Sequence, residues 1–165
     1  MSNTLADLRT TRRAYLKAAG AVTLGLSVLA GCSARGAPDS PSGPLLASEP
    51  AYGDWFSGVD AYEGTFDMRE QSSVTVTVGA KDRMGYFSFD PAAVAVSPGT
   101  TITWEWSGEG GGHDVVELDG RFSSGALADH AGHTFSHVFD DPGIYPYYCT
   151  PHRAMGMRGA VYVLA

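Results

Sequence analysis

The feature that most constrains the fold is a period-two alternation of apolar and polar residues, repeated in short segments along the chain. VTVTV at residues 74–78 alternates strictly, and TTITWEW (Thr100–Trp106) places Ile102, Trp104 and Trp106 on one face. Comparable segments, separated by the turn sequences SPG, GEGGG, DG and DDPG, lie at residues 90–99, 113–118, 133–139, 143–149 and 159–165. Because side chains alternate between the faces of a strand, this pattern predicts an all-β chain folded as a β-sandwich.

The first 32 residues have a different composition and predict an export signal. Arg12 and Arg13 precede an uncharged run at residues 18–30. That run is shorter than the roughly 20 residues of a membrane-spanning helix, and the segment resembles a twin-arginine signal. LAGC at residues 29–32 resembles a lipobox, in which Cys32 becomes the lipidated N-terminus. The alternatives are a short amphipathic helix and a cleavage site with an idle cysteine.

The remainder of the chain divides into a linker and a domain. Residues 33–50 are rich in Ser, Gly, Pro and Ala and predict a flexible tether. Residues 51–165 are expected to form one domain, with the aromatic-rich stretch 51–69 packed on its edge. With the signal at residues 1–32, this organisation predicts a protein exported by the twin-arginine route and lipid-anchored to the outer face of the cell membrane.

The charge of the chain bears on its partners. The formal net charge of −7 argues against nucleic acid. Cleavage before Cys32 would remove four basic residues and one acidic residue, which takes the charge to −10 and leaves Lys81 as the one lysine. Such acidity resembles that of proteins from salt-loving organisms, although it is also consistent with an ordinary soluble acidic surface.

The two cysteines indicate a protected thiol. With Cys32 acylated, Cys149 has no partner in the chain, and an exported protein meets an oxidising compartment. A thiol retained there is expected to be protected by burial or by a metal ion.

The residues around Cys149 favour copper as that metal. Cys149 is followed by His152 and Met157, which offer a thiolate, an imidazole and a thioether. Thiolate with thioether favours copper over zinc, because zinc sites rarely recruit methionine. The CxxCH motif of haem attachment and the second loop cysteine of a dinuclear copper site are both missing from this stretch.

A blue copper site also needs a second histidine from elsewhere in the chain. His113 follows the glycine-rich GEGGG, which allows the backbone to approach a site closely. His137 alternates with aromatic residues in a predicted strand, which favours a core or edge role, and His130 and His133 lie in a polar loop.

The chain resembles the plastocyanin-like cupredoxins in the order of its candidate ligands, which are His113, CTPH at residues 149–152 and Met157. The resemblance is closer still to the halocyanins of haloarchaea, and it lies in two stretches, WEWSGEGGGHDVV and YYCTPHRAMGMRGAVYV. The resemblance extends from about residue 59 to the end of the chain. It implies a Greek-key β-sandwich that binds one type-1 copper ion at one end, transfers single electrons and is not an enzyme.

The resemblance also assigns roles to the ligands. His113, Cys149 and His152 are implied as the three strong ligands. Met157 is implied as the axial ligand, in preference to the competing thioether of Met155. The implied partners are redox proteins or membrane complexes as electron donor and acceptor, with the lipid membrane reached through the N-terminal anchor.

Two neighbours of the expected site carry further expectations. Asp114 stands where relatives often have Asn, and it either faces inward and lowers the reduction potential or turns to solvent. An apolar docking patch for redox partners is expected around His152, formed by Pro151, Ala154, Met155 and Gly156. The alternative function is a copper-binding or storage protein, or a metal-free interaction module, without electron transfer.

Overall fold

A computed structural model describes residues 43–165, whose regular secondary structure is β-strand apart from a single short helical turn. A 3₁₀ turn at Arg153–Met155 lies between the last two strands. The strands in chain order are β1 (Phe66–Asp67), β2 (Ser73–Ala80), β3 (Ser88–Asp90), β4 (Ala93–Val96), β5 (Thr100–Trp106), β6 (Val116–Glu117), β7 (Thr134–Phe139), β8 (Gly143–Tyr148) and β9 (Arg158–Val163).

The strands form two mixed sheets that face each other across the core. One sheet has the order β1-β4-β9-β8-β6, and the other has the order β3-β2-β5-β7. β4 pairs in parallel with β9, and β2 pairs in parallel with β5, whereas β8 and β9 are antiparallel. The predicted all-β sandwich is therefore confirmed.

The period-two alternation decides which side chains fill the space between the sheets. Alternate residues of β2 and β5 are fully buried, and the residues between them are mostly half-buried or exposed. Trp104 lies within this core, and its ring centroid is 5.2 Å from that of Tyr147 and 5.3 Å from that of Phe122. Because a core packed this closely deforms little, the sandwich is a rigid support for the loops at its ends. Truncating an aromatic side chain in such a core costs about 3–5 kcal/mol of stability.

The structure corrects the predicted strand at residues 113–118. Only the two residues of β6 are a strand there, while His113 forms an isolated bridge to Ala128 and Val116 a bridge to Ser123. Between these two bridges, the buried Asp114 leaves the strand pattern and accepts a hydrogen bond from the backbone N–H of Thr150. The short strands β1 and β3 were not predicted, because two or three residues are too few to show a period.

The residues before β1 pack against the sandwich, as was predicted for the aromatic stretch 51–69. The indole N–H of Trp55 donates to the carbonyl of Gly159 in β9 at 2.9 Å. Contact with the domain begins before residue 51, because Leu45 bridges Phe66 and the N–H of Leu46 donates to the carbonyl of Thr65 at 2.8 Å. The C-terminal part of the predicted tether thus lies on the domain.

The predicted signal segment at residues 1–32, with Cys32, lies outside the described residues, as do residues 33–42 of the predicted tether. Among residues 43–165, no helix has the length and apolar character required to cross a membrane.

Candidate metal centre

Cys149 and His152 are brought together by the loop between β8 and β9. Cys149 follows directly after β8, and the chain then turns back, so that the N–H of Cys149 donates to the carbonyl of Met157 at 3.1 Å. Within the loop, the N–H of His152 donates to the carbonyl of Cys149 at 3.2 Å. Gly156 ends the 3₁₀ turn with a φ of 95°, which favours glycine. The loop therefore begins and ends beside Cys149.

His113 is held by contacts on both its backbone and its ring. Its backbone exchanges two hydrogen bonds of 2.9 Å with Ala128, and its carbonyl accepts a 3.1 Å bond from the indole of Trp106. Its Nε2 lies 2.9 Å from the carbonyl oxygen of Glu109. Because a carbonyl only accepts, Nε2 carries the proton, and the lone pair of Nδ1 is free to bind a metal ion.

Two glycines make room for the His113 ring. A Cβ added at Gly110 would lie 2.5 Å from the carbonyl oxygen of Tyr86 and 2.9 Å from Nε2 of His113. A Cβ at Gly79 would lie 2.8 Å from the carbonyl oxygen of Glu109 and 3.1 Å from the same ring nitrogen. Both glycines also have a positive φ, which other residues rarely adopt. The close approach expected from the glycine-rich sequence is therefore made at the ring of His113.

The three predicted strong ligands converge. Nδ1 of His113 lies 3.1 Å from Nδ1 of His152, and Sγ of Cys149 lies 3.6 Å and 3.4 Å from these two nitrogens. The centre of this triangle is about 2 Å from each atom, close to the ~2.0–2.3 Å that nitrogen and thiolate ligands keep from a metal ion. In the described part of the chain, no other group of three His, Cys, Asp or Glu side chains converges in this way. The arrangement fits a metal ion.

Burial sets the protonation of these groups. Burial lowers the pKa of both histidines, so each is a neutral imidazole with a lone pair to offer at neutral pH. Burial raises the pKa of the Cys149 thiol to about 12, and the carboxylate of Asp114 acts in the same direction. Backbone N–H groups of Asp114 and His152 oppose this shift. A thiolate at this position therefore requires a bound cation.

Asp114 faces the protein interior. It is buried, and its carboxylate accepts a 2.6 Å hydrogen bond from the backbone N–H of Thr150. Of the two orientations left open by the sequence, the inward one is therefore observed. The bond connects the residue after His113 to the residue after Cys149, and so it holds two ligand-bearing segments in register.

The predicted axial ligand, Met157, is fully buried beside this cluster. Its N–H donates to the carbonyl of His152 at 3.2 Å, and its carbonyl accepts from Cys149. The competing Met155 is only half-buried, in the 3₁₀ turn. Assignment of Met157 as the axial ligand stays a prediction.

The other three histidines lie apart from the cluster. The ring of His133 packs on Trp106 with centroids 4.7 Å apart, and His130 lies 5.2 Å from His133. His137 packs against Phe122 at 4.9 Å, which agrees with the core or edge role predicted for it.

Two contacts of the site were missed by sequence reasoning. Phe87 packs on the ring of His152 with centroids 4.7 Å apart, and the carbonyl of Glu109 orients His113. No motif marks a packing phenylalanine or a backbone carbonyl. The glycine-rich run around Glu109 was the available signal for the second contact.

Comparison with known proteins identifies the family. Residues 74–164 match the family of copper binding proteins described as the plastocyanin/azurin family. The chain belongs to this family. The halocyanin of Natronomonas pharaonis is 41% identical over 169 aligned positions, which cover 93% of this chain and 97% of that protein. The plastocyanin of Scenedesmus fuscus is 34% identical over 54% of this chain and 98% of that protein. A solved structure of oxidized plastocyanin from Dryopteris crassirhizoma is 27% identical, covers 55% of this chain and 100% of its own, and has a TM-score of 0.45.

Membership in the plastocyanin/azurin family confirms the predicted cofactor. The cofactor is type-1 copper, and His113, Cys149 and His152 form the candidate site for it. The resemblance to cupredoxins and halocyanins is confirmed as well. Membership in this family also agrees with the prediction that the chain is an electron carrier and not an enzyme.

Proposed function

We propose that the protein is a membrane-anchored carrier of single electrons between redox proteins on the outer face of the cytoplasmic membrane. The observation that carries the proposal is the convergence of two imidazole nitrogens and one cysteine sulfur, all within 3.6 Å, at one end of a rigid sandwich. Two histidines and one cysteine with a weak axial thioether are typical of blue copper sites built for electron transfer.

Met157 is proposed as the axial ligand of this site. Its full burial excludes water, and its backbone hydrogen bonds hold it beside Cys149 and His152. A thioether is a weak, neutral ligand, so it leaves the charge of the site unchanged. Met155 is less suitable because its side chain is partly exposed on the 3₁₀ turn.

Copper, when bound, supplies the redox chemistry by alternating between Cu(I) and Cu(II). The residues of the chain keep the ligands in place while this happens. His113 is oriented by the carbonyl of Glu109, and the backbone N–H groups of Asp114 and His152 lower the pKa of Cys149 and so favour its thiolate. Because these ligands are held in place, little rearrangement accompanies the change of charge, which favours fast transfer.

His152 is proposed as the exit for the electron, because its ring is half-buried while His113 and Cys149 are buried. Of the expected docking patch, Pro151 and Ala154 are exposed and Met155 is half-buried. Gly156 does not belong to the patch, since it is buried against the backbone of Gly58. Two further large apolar side chains are more than half exposed on loops that contact the site: Met84, on the loop that carries Phe87, and Leu127, next to the bridge partner of His113. A small apolar surface of this kind suits brief contact with a redox partner.

Copper binding and redox titration test the proposed function. We expect the purified protein to bind one equivalent of Cu(II) with a strong blue absorption band. We also expect reversible one-electron reduction, with no consumption of small substrates. Binding of several Cu(I) ions per chain would support copper storage instead. A colourless protein that retains no copper would support a metal-free interaction module.

The proposed anchor depends on Cys32. We expect Cys32→Ala to move the protein from the membrane fraction to the soluble fraction of the producing cells, because a lipidated cysteine is the proposed attachment. Fractionation followed by immunoblotting measures the distribution, with the wild-type protein as reference. Membrane association that is unchanged in the variant would overturn the lipid-anchor proposal.

A further inference from the structure

We propose that residues 52–62, named here the N-terminal brace, act as a positioning element that holds the metal-binding loop of the sandwich. The brace lies outside residues 74–164, the part that matches the copper-binding family. The inference rests on the proposed function in one respect, namely that Met157 is a ligand. The brace contacts the chain on both sides of Met157, at Gly156 and at Arg158.

The brace is itself an ordered unit. The rings of Phe56 and Tyr62 stack with centroids 3.8 Å apart, and Tyr52 meets Phe56 edge-on at 4.9 Å. The hydroxyl of Tyr62 donates to Glu49 at 2.6 Å, and the hydroxyl of Tyr52 lies 3.0 Å from that of Thr65. An aromatic cluster with these bonds keeps one shape, so it can fix the position of the segments that pack against it.

The first contact is with the segment that carries Met157. A Cβ added at Gly156 would lie 2.7 Å from the carbonyl oxygen of Gly58, so the two backbones touch. The guanidinium of Arg158 donates to the carbonyl of Ser57 at 2.6 Å. Both chain neighbours of Met157 are thus in contact with consecutive residues of the brace.

Trp55 extends this contact across the loop. Its indole N–H donates to the carbonyl of Gly159 at 2.9 Å. The guanidinium of Arg153 lies 5.6 Å from the ring of Trp55 and 4.3 Å from the ring of Tyr148, the residue before Cys149. Through these cation–π contacts, the brace contributes to the position of the loop at its beginning as well as at its end.

The second contact is with the loop between β2 and β3. Asp60 of the brace accepts a 2.8 Å hydrogen bond from Nε of Arg83 and forms an ion pair with it. The same loop carries Phe87, which packs on His152. The brace therefore joins the loop that supports His152 to the loop that contains His152 and Met157.

Trp55→Ala tests the inference, because it removes the indole contacts without changing the charge of the protein. In the metal-free protein we expect the backbone N–H groups of Met157 and Arg158 to exchange with solvent hydrogen about tenfold faster, since local opening becomes easier. The matched control is Val138→Ala, which shortens an exposed side chain of β7 outside the brace, and which should leave these two rates unchanged. Exchange of the N–H groups of β5 reports the global fold in every variant.

Copper-loaded protein provides the second readout. We expect a chelator to remove copper about tenfold faster from Trp55→Ala than from the wild type, with a changed ratio between the blue band and the shorter-wavelength thiolate band. Trp55→Phe, which loses the N–H but keeps an aromatic ring, should lie between the two. It also replaces Trp55→Ala in both experiments if the alanine variant does not fold.

The outcomes separate the inference from the proposed function. Faster exchange confined to the Met157 segment supports the brace as a positioning element. Unchanged exchange there, or an equal increase in β5, overturns it, because the brace would then be either irrelevant to the loop or only a part of global stability. A wild-type protein without a blue band would overturn the proposed function instead, and the exchange experiment would still decide whether the brace holds the loop.

Discussion

Cys149→Ser is expected to abolish the blue colour of the copper-loaded protein and to weaken Cu(II) binding by more than about 100-fold. Loss of an outer hydrogen-bonding partner alone costs 10–100-fold in metal affinity, and here a ligand itself is removed. A serine hydroxyl stays protonated at neutral pH, so it offers neither the anionic nor the soft donor that the thiolate supplies. Absorption spectra and competition with a chelator measure the two effects.

The control for Cys149→Ser is Cys32→Ser, which removes the other cysteine and should keep the blue band. Serine has nearly the shape of cysteine, so the fold of the Cys149 variant should survive, and its far-ultraviolet circular dichroism should match that of the wild type. A blue band that persists in Cys149→Ser would show that the thiolate is not the ligand responsible for the colour.

Gly110→Ala is expected to destabilise the protein by about 2–5 kcal/mol and to weaken copper binding by about 10–100-fold. The new Cβ would lie 2.5 Å from the carbonyl oxygen of Tyr86 and 2.9 Å from Nε2 of His113. Overpacking of this kind costs about 1–3 kcal/mol, and the left-handed backbone, with a φ of 79°, costs about 1–2 kcal/mol more for alanine. The displaced ring also loses its hydrogen bond to Glu109, hence the effect on affinity.

Gly111→Ala is a matched control for this prediction. Its φ of 85° is similar, but a Cβ there has no atom within 4 Å. It should therefore show the backbone cost of about 1–2 kcal/mol without a change in copper affinity. Denaturant unfolding and chelator competition of the two variants separate the backbone cost from the effect of the new Cβ on the His113 ring. Equal copper affinities in both would contradict the role assigned to the space around His113.

Much of the candidate site could be predicted from the sequence because its ligands are chemically distinctive. A cysteine, a histidine and a methionine within nine residues of one another restrict the metal before any fold is known. The orientation of Asp114 could not be predicted, because a carboxylate on the strand expected there could face either side. It was decided by the N–H of Thr150, which is 36 positions away in sequence.

The fold, like the site, could be predicted from the sequence only in part. Strands as long as β2 and β5 were predicted because several alternating residues bury one face. The segment at residues 113–118 carries apolar residues but forms only the two-residue β6, which pairs with β8, while His113 bridges the following loop instead. Pairing of this kind depends on which backbones the core brings side by side, and local sequence does not contain that information.

The sequence by itself determined the class of fold, the chemistry of the candidate metal ligands and the aromatic character of the residues before the sandwich. These follow from side-chain chemistry and from the two-residue period of a strand, which are local properties. Only the tertiary structure decided that Glu109 fixes the tautomer of His113, that Phe87 packs on His152 and that residues 52–62 contact both neighbours of Met157. Those contacts join residues distant in the chain, so they exist only after the core has set the positions of the strands and loops.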